Sequence, residues 1–244
     1  MKNKFSWVNL TGGEVFLRDD LVEIVRSIQG TYLLNITTNG IKTSKIVRDC
    51  KEINDIIPKF ILTVSVDGPE KIHNKIRGGN CWRNALETYK RLREIGIETY
   101  IGYTISPYNI DYLYKTIGEI QKIIPDFSIK EFHINTYYES EIYFANKNKI
   151  KENQEYIEKL KKIINDFIKK KKGFDPVSYL ERKYLKLIEK HFGTKNCPLD
   201  CKALSSSCFI DPMGNVFPCT SFNINLGNIR ENAVSYTHLT LPTN

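Results

Sequence analysis

The feature that most constrains this chain is an alternation of short apolar runs with amphipathic helical stretches. Residues 7–11 read as a first strand, after which Leu17, Leu21, Ile24, Val25 and Ile28 mark one face of a helix. Residues 32–38 form a second strand, closed by Asn39-Gly40, and Ile46, Val47, Cys50 and Ile53 follow at helical spacing. Residues 60–66 are a third strand, closed by Asp67-Gly68-Pro69, with a helix at 82–95 stopped by Gly96. Residues 97–106 and 131–135 complete the series, with Ile110, Leu113, Ile117 and Ile120 between them. Strands separated by helices predict an α/β fold with a parallel sheet, either an open partial barrel or a doubly wound sheet. Several strands are apolar almost throughout, which predicts that both sheet faces are covered.

Small and polar residues recur where these strands end: Gly12-Gly13-Glu14, Thr38-Asn39-Gly40, Ser65 with Asp67-Gly68, Ser106 and Asn135. In α/β folds that edge is where ligands bind. Gly-Gly exposes backbone groups without side-chain obstruction. Beside a carboxylate it suits a ligand carrying an ammonium group. Taken alone, the same tripeptide also suits an ordinary turn with a solvated Glu.

Beyond the fifth strand the composition shifts. Two lysine-rich helices, 150–172 and 177–191, flank Gly173-Phe174-Asp175-Pro176. On the first, Ile157, Leu160, Ile164 and Phe167 oppose the lysines, so the charge run reads as a solvated face. The net charge of +8 therefore does not point to nucleic acid, and no aromatic-basic RNA-binding motif is present. No apolar run reaches the roughly 18–20 residues that span a bilayer, and the opening MKNKFSW lacks the apolar stretch of a secretory signal. A cytoplasmic protein without membrane or nucleic-acid partners is expected.

The cysteines are uneven. Cys197, Cys201, Cys208 and Cys219 crowd one stretch, whereas Cys50 reads as a helix-face core residue and Cys81 as a stray thiol. Without secretion such a crowd fits a metal or cluster site better than disulfides. Pro212-Met213-Gly214-Asn215 predicts a turn between two short strands, on which Cys208 is expected to face the core. Thiolates converging across it suit iron or zinc.

Three stretches carry a family resemblance. WVNLTGGEVFLRDDL resembles the GGEP-type motif of radical S-adenosylmethionine (SAM) enzymes, with Val15 at the usual proline position. SVDGPEKIHNKIRGG, residues 65–79, resembles their fourth-strand segment, and Thr38-Asn39-Gly40 fits their third strand. CPLDCKALSSSCFIDPMGNVFPC, followed by Leu226-Gly227-Asn228, resembles the opening of the SPASM/twitch auxiliary iron–sulfur domain. The resemblance implies a partial (β/α) TIM-like barrel of parallel strands with outer helices over residues 1–145, then a helical connection (146–195) and the start of the auxiliary domain (196–232). Residues 233–244 read as an artefactual or disordered tail.

The resemblance also implies roles. Gly12, Gly13 and Glu14 would hold the methionyl ammonium of SAM; Ser65 and Asp67 would lie near the ribose and substrate. Arg77 would reach the SAM carboxylate, where a fork of donors suits two oxygens, and Ser106 would flank the nucleoside. His73 reads as a loop or helix-cap histidine, and Asn135 as structural or functional with equal weight. Cys201 and Cys219, with Cys197 as an uncertain third, would bind an auxiliary [4Fe–4S] cluster, zinc being the alternative. The implied activity is reductive SAM cleavage to a 5′-deoxyadenosyl radical that abstracts hydrogen from a peptide or protein. Flavodoxin or ferredoxin would serve as reductant. The family's catalytic [4Fe–4S] cluster is held by C-x3-C-x2-C, yet no cysteine precedes Cys50. The chain therefore reads as a fragment without SAM cleavage of its own. The alternative is a non-catalytic SAM-binding or assembly module. An ordinary barrel aldolase or hydrolase lacks the required lysine or paired acids.

Overall fold

The computed structural model describes residues 5–146, 153–171, 173, 176–194 and 198–231. Five parallel strands form one sheet: β1 (Trp7–Leu10), β2 (Leu33–Thr38), β3 (Lys59–Ser65), β4 (Glu98–Ile105) and β5 (Phe132–Thr136). Between them run α1 (Leu21–Ser27), α2 (Thr43–Ile56), α3 (Glu70–Arg77), α4 (Trp82–Glu94) and α5 (Leu113–Ile123). Strand order follows chain order, β1-β2-β3-β4-β5. With right-handed crossovers, consecutive order puts every helix on the same side of the sheet. That is an arc of a barrel and excludes the doubly wound alternative.

Alternate residues separate the two faces. In β2, Leu34, Ile36 and Thr38 are buried under the helices, while Leu33, Asn35 and Thr37 are only half-buried. The helix-facing side holds the core: Leu34, Ile36, Leu62, Val64, Ile101 and Phe132 are all buried. Each such side chain contributes roughly 1.5–3 kcal/mol on leaving water. The concave side is polar instead. Asn35 Nδ2 donates to Asn9 Oδ1 at 3.0 Å and Thr63 Oγ1 donates to Asn35 Oδ1 at 3.4 Å, so an amide–hydroxyl rung crosses three strands. The expectation of apolar cover on both faces is thus corrected. An arc of five strands leaves its hollow side open to solvent or ligand, and the sequence fills it accordingly.

Three local differences from the sequence-based expectations concern the site. Residues 15–17 form a 3₁₀ turn, and the first helix begins only at Leu21. α3 was not legible as a helix. Pro69 stands at its start, and Gly78, in the left-handed conformation at φ +73°, ends it. Past β5 come α6 (Gln154–Lys170) and α7 (Pro176–Thr194), then a hairpin of β6 (Phe209–Ile210) and β7 (Val216–Phe217). Asp211 makes the hairpin turn, its carboxylate accepting from the backbone N–H of Met213 (2.8 Å) and Asn215 (2.9 Å). The lysine-rich helix turns its apolar stripe inward as expected, but Lys171 at its end is fully buried rather than solvated.

Candidate functional site

A cavity of about 720 Å³ opens at the carboxyl edge of the sheet, within the roughly 300–1,000 Å³ range of small-molecule sites. Every strand contributes to its wall: Gly12 and Gly13 after β1, Asn39 after β2, Ser65 and Asp67 at β3, Ser106 after β4, and Asn135 in β5. Arg77 reaches it from the last position of α3. Parallel strands all end at the same rim, so residues scattered over some 120 positions converge.

The glycines face open space. A Cβ on Gly12 or on Gly13 would meet no heavy atom within 4 Å. Their lack of side chains is thus not required by packing, although both residues line the cavity. Gly12 also has φ +140°, which side chains disfavour. Glu14 stands just behind this wall. Its carboxylate accepts from Thr38 Oγ1 (2.8 Å), Asn39 N (2.6 Å) and Phe16 N (3.1 Å), tying the first loop to the end of β2. Three bonds leave one of its roughly four acceptor positions.

Asp67 is the hub of the opposite wall. Its side chain is 7% exposed and pairs with Arg77 Nη2 at 2.5 Å. Its Oδ1 accepts the Thr104 N–H at 3.0 Å, strapping the loop after β3 to β4. Asn109 joins the same strap by donating from Nδ2 to the carbonyls of Asp67 (3.0 Å) and Thr104 (2.9 Å). Its Oδ1 accepts from Ser106 N at 2.7 Å. The sequence reading missed Asn109; its one signal was an Asn three residues after Ser106, in a turn opened by Pro107.

His73 supports Asp67 from behind. It is buried on α3, correcting the loop or helix-cap reading. Its Nδ1 accepts the Asp67 N–H at 3.0 Å, which leaves the proton on Nε2, 3.3 Å from Cys81 Sγ. Burial pushes its pKa down to about 4, a shift that Asp67 opposes and Arg77 reinforces. Cys81 is therefore a buried partner of this histidine, not a stray thiol. Cys50 is buried in the core, as its helical position predicts.

The far wall comes from residues 137–146, after β5. Tyr143 and Thr11 share a hydrogen bond, their oxygens 2.5 Å apart, so this loop reaches across the hollow from the β5 edge to the β1 edge. The loop is also stitched to the cysteine segment. Ser140 Oγ donates to the Thr220 carbonyl, and the Tyr138 and Thr220 hydroxyls lie 3.1 Å apart. From α7, Tyr184 donates to Asn135 Oδ1 at 3.0 Å.

The chemistry of this wall fits a zwitterionic nucleotide. Bare backbone lies on one side, the paired Asp67 carboxylate and Arg77 guanidinium on another, and hydroxyl and amide groups lie between them; Glu14 itself does not line the cavity. An iron–sulfur cluster is a different matter. Among the described residues no group of three or more His, Cys, Asp or Glu side chains converges as a metal site. Cys201 is exposed and Cys219 half-buried, while Cys197 lies outside the described residues, as does the whole of the expected tail, 233–244. Cys208 is exposed, so its assignment to the core is corrected: it precedes β6 rather than lying within it.

The Radical SAM superfamily model matches residues 3–120, and the SPASM model, an iron–sulfur cluster-binding domain, matches residues 201–236. Among curated proteins, the "Probable GTP 3',8-cyclase" of Saccharolobus solfataricus is 29% identical over 178 residues, 69% of this chain and 54% of that protein. The GTP 3',8-cyclase of Lactiplantibacillus plantarum is 42% identical over 79 residues, 31% of this chain and 23% of that protein. The chain spans about half or less of the length of these relatives. Among solved structures, anSMEcpe with bound AdoMet superposes with a TM-score of 0.62 at 16% identity, over 98% of this chain and 64% of that one. Streptococcus suis SuiB bound to precursor peptide SuiA gives 0.62 at 20% identity, over 97% and 54%. At these identities the superpositions speak for the fold, and no helix among the described residues is long and apolar enough to cross a membrane. The two matches are to different parts of the sequence: residues 3–120 match the radical SAM superfamily and residues 201–236 match SPASM, domains whose cofactors are S-adenosylmethionine and [4Fe–4S] clusters.

Proposed function

We propose that the rim cavity is the S-adenosylmethionine site of a radical SAM enzyme that modifies a peptide or protein. Bound SAM, given one electron from a reduced [4Fe–4S] cluster, would break its sulfonium C–S bond, leaving methionine and supplying hydrogen-abstracting radical chemistry. The chain's own residues bind and orient. Carbonyl groups of the Gly12-Gly13 turn accept from the methionyl ammonium, and Glu14 adds negative charge behind them. Arg77, held in place by Asp67, offers its remaining donors to the carboxylate. Ser65 and Asp67 lie towards the ribose, and Ser106 towards the base. In this reading residues 1–145 form the SAM-holding arc and residues 196–232 the beginning of a cluster domain, with Cys201 and Cys219 as thiolate ligands.

The observation that carries the proposal is the convergence of Gly12, Gly13, Ser65, Asp67, Arg77 and Ser106 around one cavity. A peptide substrate is supported by neighbours of the same fold that are described with bound peptides, such as SuiB with SuiA. Isothermal titration with SAM tests the site. Arg77→Ala removes a charged hydrogen-bond partner worth about 1.5–3 kcal/mol, so affinity should fall roughly ten- to a hundredfold. An unchanged isotherm for this variant would contradict the assignment.

A further inference from the structure

The cavity is larger than the ring of SAM-facing residues, and its outer part has a different chemistry. Tyr108, Tyr138, Phe144 and Tyr184 line it there while remaining 63%, 40%, 48% and 44% exposed. Large aromatic groups left this open in one place mark a contact surface rather than scattered exposure. They come from three separate elements: the turn after β4, the loop after β5 and α7. Tertiary structure, not a single amphipathic stretch, has gathered them.

The charge content of the cavity narrows what would enter. Among its described lining residues Asp67 and Arg77 carry the formal charges, and they neutralise each other at 2.5 Å. A triphosphate would bring several negative charges to a wall with one guanidinium, already paired; phosphate sites are instead built from several cations or helix N-termini. A lysine or glutamate side chain would leave water without gaining an opposite charge, which is costly. Phe144 packs edge to face against Tyr138, 5.1 Å between centroids, and against Tyr143 at 4.4 Å, which braces this part of the collar. The phenol groups of Tyr184, Tyr138 and Tyr143 are engaged at the rim with Asn135, Thr220 and Thr11 respectively. Peptide backbone, by contrast, has a handle here. Asn135 uses its Oδ1 for Tyr184, and its NH₂ group has no partner among the described residues.

We infer that the outer cavity is a substrate subsite for an uncharged, aromatic-bearing stretch of peptide, and that it disfavours charged side chains and nucleoside triphosphates. This rests on the SAM assignment above. It separates the chain from the GTP cyclases it resembles in sequence, and it places specificity in the 137–146 loop, Tyr108 and Tyr184. Ring stacking against the collar would recognise the side chain, while Asn135 would donate to a peptide carbonyl.

The test uses this chain saturated with SAM and titrated with blocked pentapeptides, Ac-Gly-Gly-X-Gly-Gly-NH₂, where X is Tyr, Lys or Glu, and separately with GTP. The expected result is that the Tyr peptide binds at least about tenfold more tightly than the Lys or Glu peptides or GTP. Phe144→Ala should reduce that preference about tenfold, in the range of a buried aromatic contact. Tyr108→Ser, at an exposed loop position, should reduce it without altering the thermal midpoint, which covers the case in which Phe144→Ala does not fold. Equal or tighter binding of GTP or a charged peptide, or no binding of any peptide to the SAM-saturated chain, overturns the subsite while leaving the SAM assignment standing. Failure of SAM itself to saturate the chain overturns both.

Discussion

At the scale of the residue, the site separates groups that support the fold from groups that are free to meet a ligand. Gly13 belongs to the second kind. A methyl group there would meet no neighbour within 4 Å, and its φ is not in the left-handed region. Gly13→Ala should therefore leave the urea midpoint unchanged while weakening SAM binding several-fold, a split read by pairing unfolding with titration; loss of stability without loss of binding would reverse the assignment. His73 is of the first kind, and with His133 it gives the chain a particular response to acid. Burial lowers His73 to about 4 and, with Lys171 adding to the effect, His133 to about 3, against an ordinary 6.5. Both are neutral when folded but protonate near 6.5 when unfolded, so the unfolded chain takes up more protons between these values. Stability is full above pH 6.5 and falls as pH drops towards 4, by up to about 1.4 kcal/mol per pH unit for each histidine. Urea unfolding at pH 7 and pH 5 should show this difference, reduced in His73→Gln.

At the scale of the element, the helices after β5 are held by a contact that periodicity does not reveal. Lys171 Nζ is fully buried, pairs with Glu181 on α7 and donates to the Phe132 carbonyl at 2.9 Å, where β5 begins. Glu181 and Tyr184 lie one turn apart on α7, so this anchor fixes the helix that delivers Tyr184 to Asn135. Lys171→Met strips a buried carboxylate of its cation and should cost about 3–5 kcal/mol in urea unfolding; a second change, Glu181→Leu, should recover most of it. From sequence, Lys171 was one more charge in a solvated run. α3 was hidden for a related reason: eight residues between Pro69 and Gly78 are too few for an apolar stripe to register. The strands were legible because each is bounded by turn residues with their own backbone preferences, as at Asn39-Gly40 and Asp67-Gly68.

At the scale of the whole molecule, the five-strand arc explains both the site and what sequence reading could not supply. Because the strands are parallel and consecutive, the polar residue after each one arrives at the same rim, and the wall could be read from turn residues alone. The closure of that rim could not, because the Thr11–Tyr143 bond joins positions 132 residues apart and has no periodic signature. The polar rung of Asn9, Asn35 and Thr63 was missed because β2 and β3 look apolar when read residue by residue; only the pleat sorts their faces. A second cavity, of about 330 Å³, lies at the ends of α4 and α5 beside Arg93 and Asp126, and it offers an internal control. The decisive measurement is a titration of ¹⁵N-labelled chain with S-adenosylmethionine, followed through its backbone amides. Saturable shifts at Gly12, Gly13, Ser65, Arg77 and Ser106 are the result foreseen; shifts confined to the surroundings of Arg93 and Asp126, or none that saturate, would contradict it.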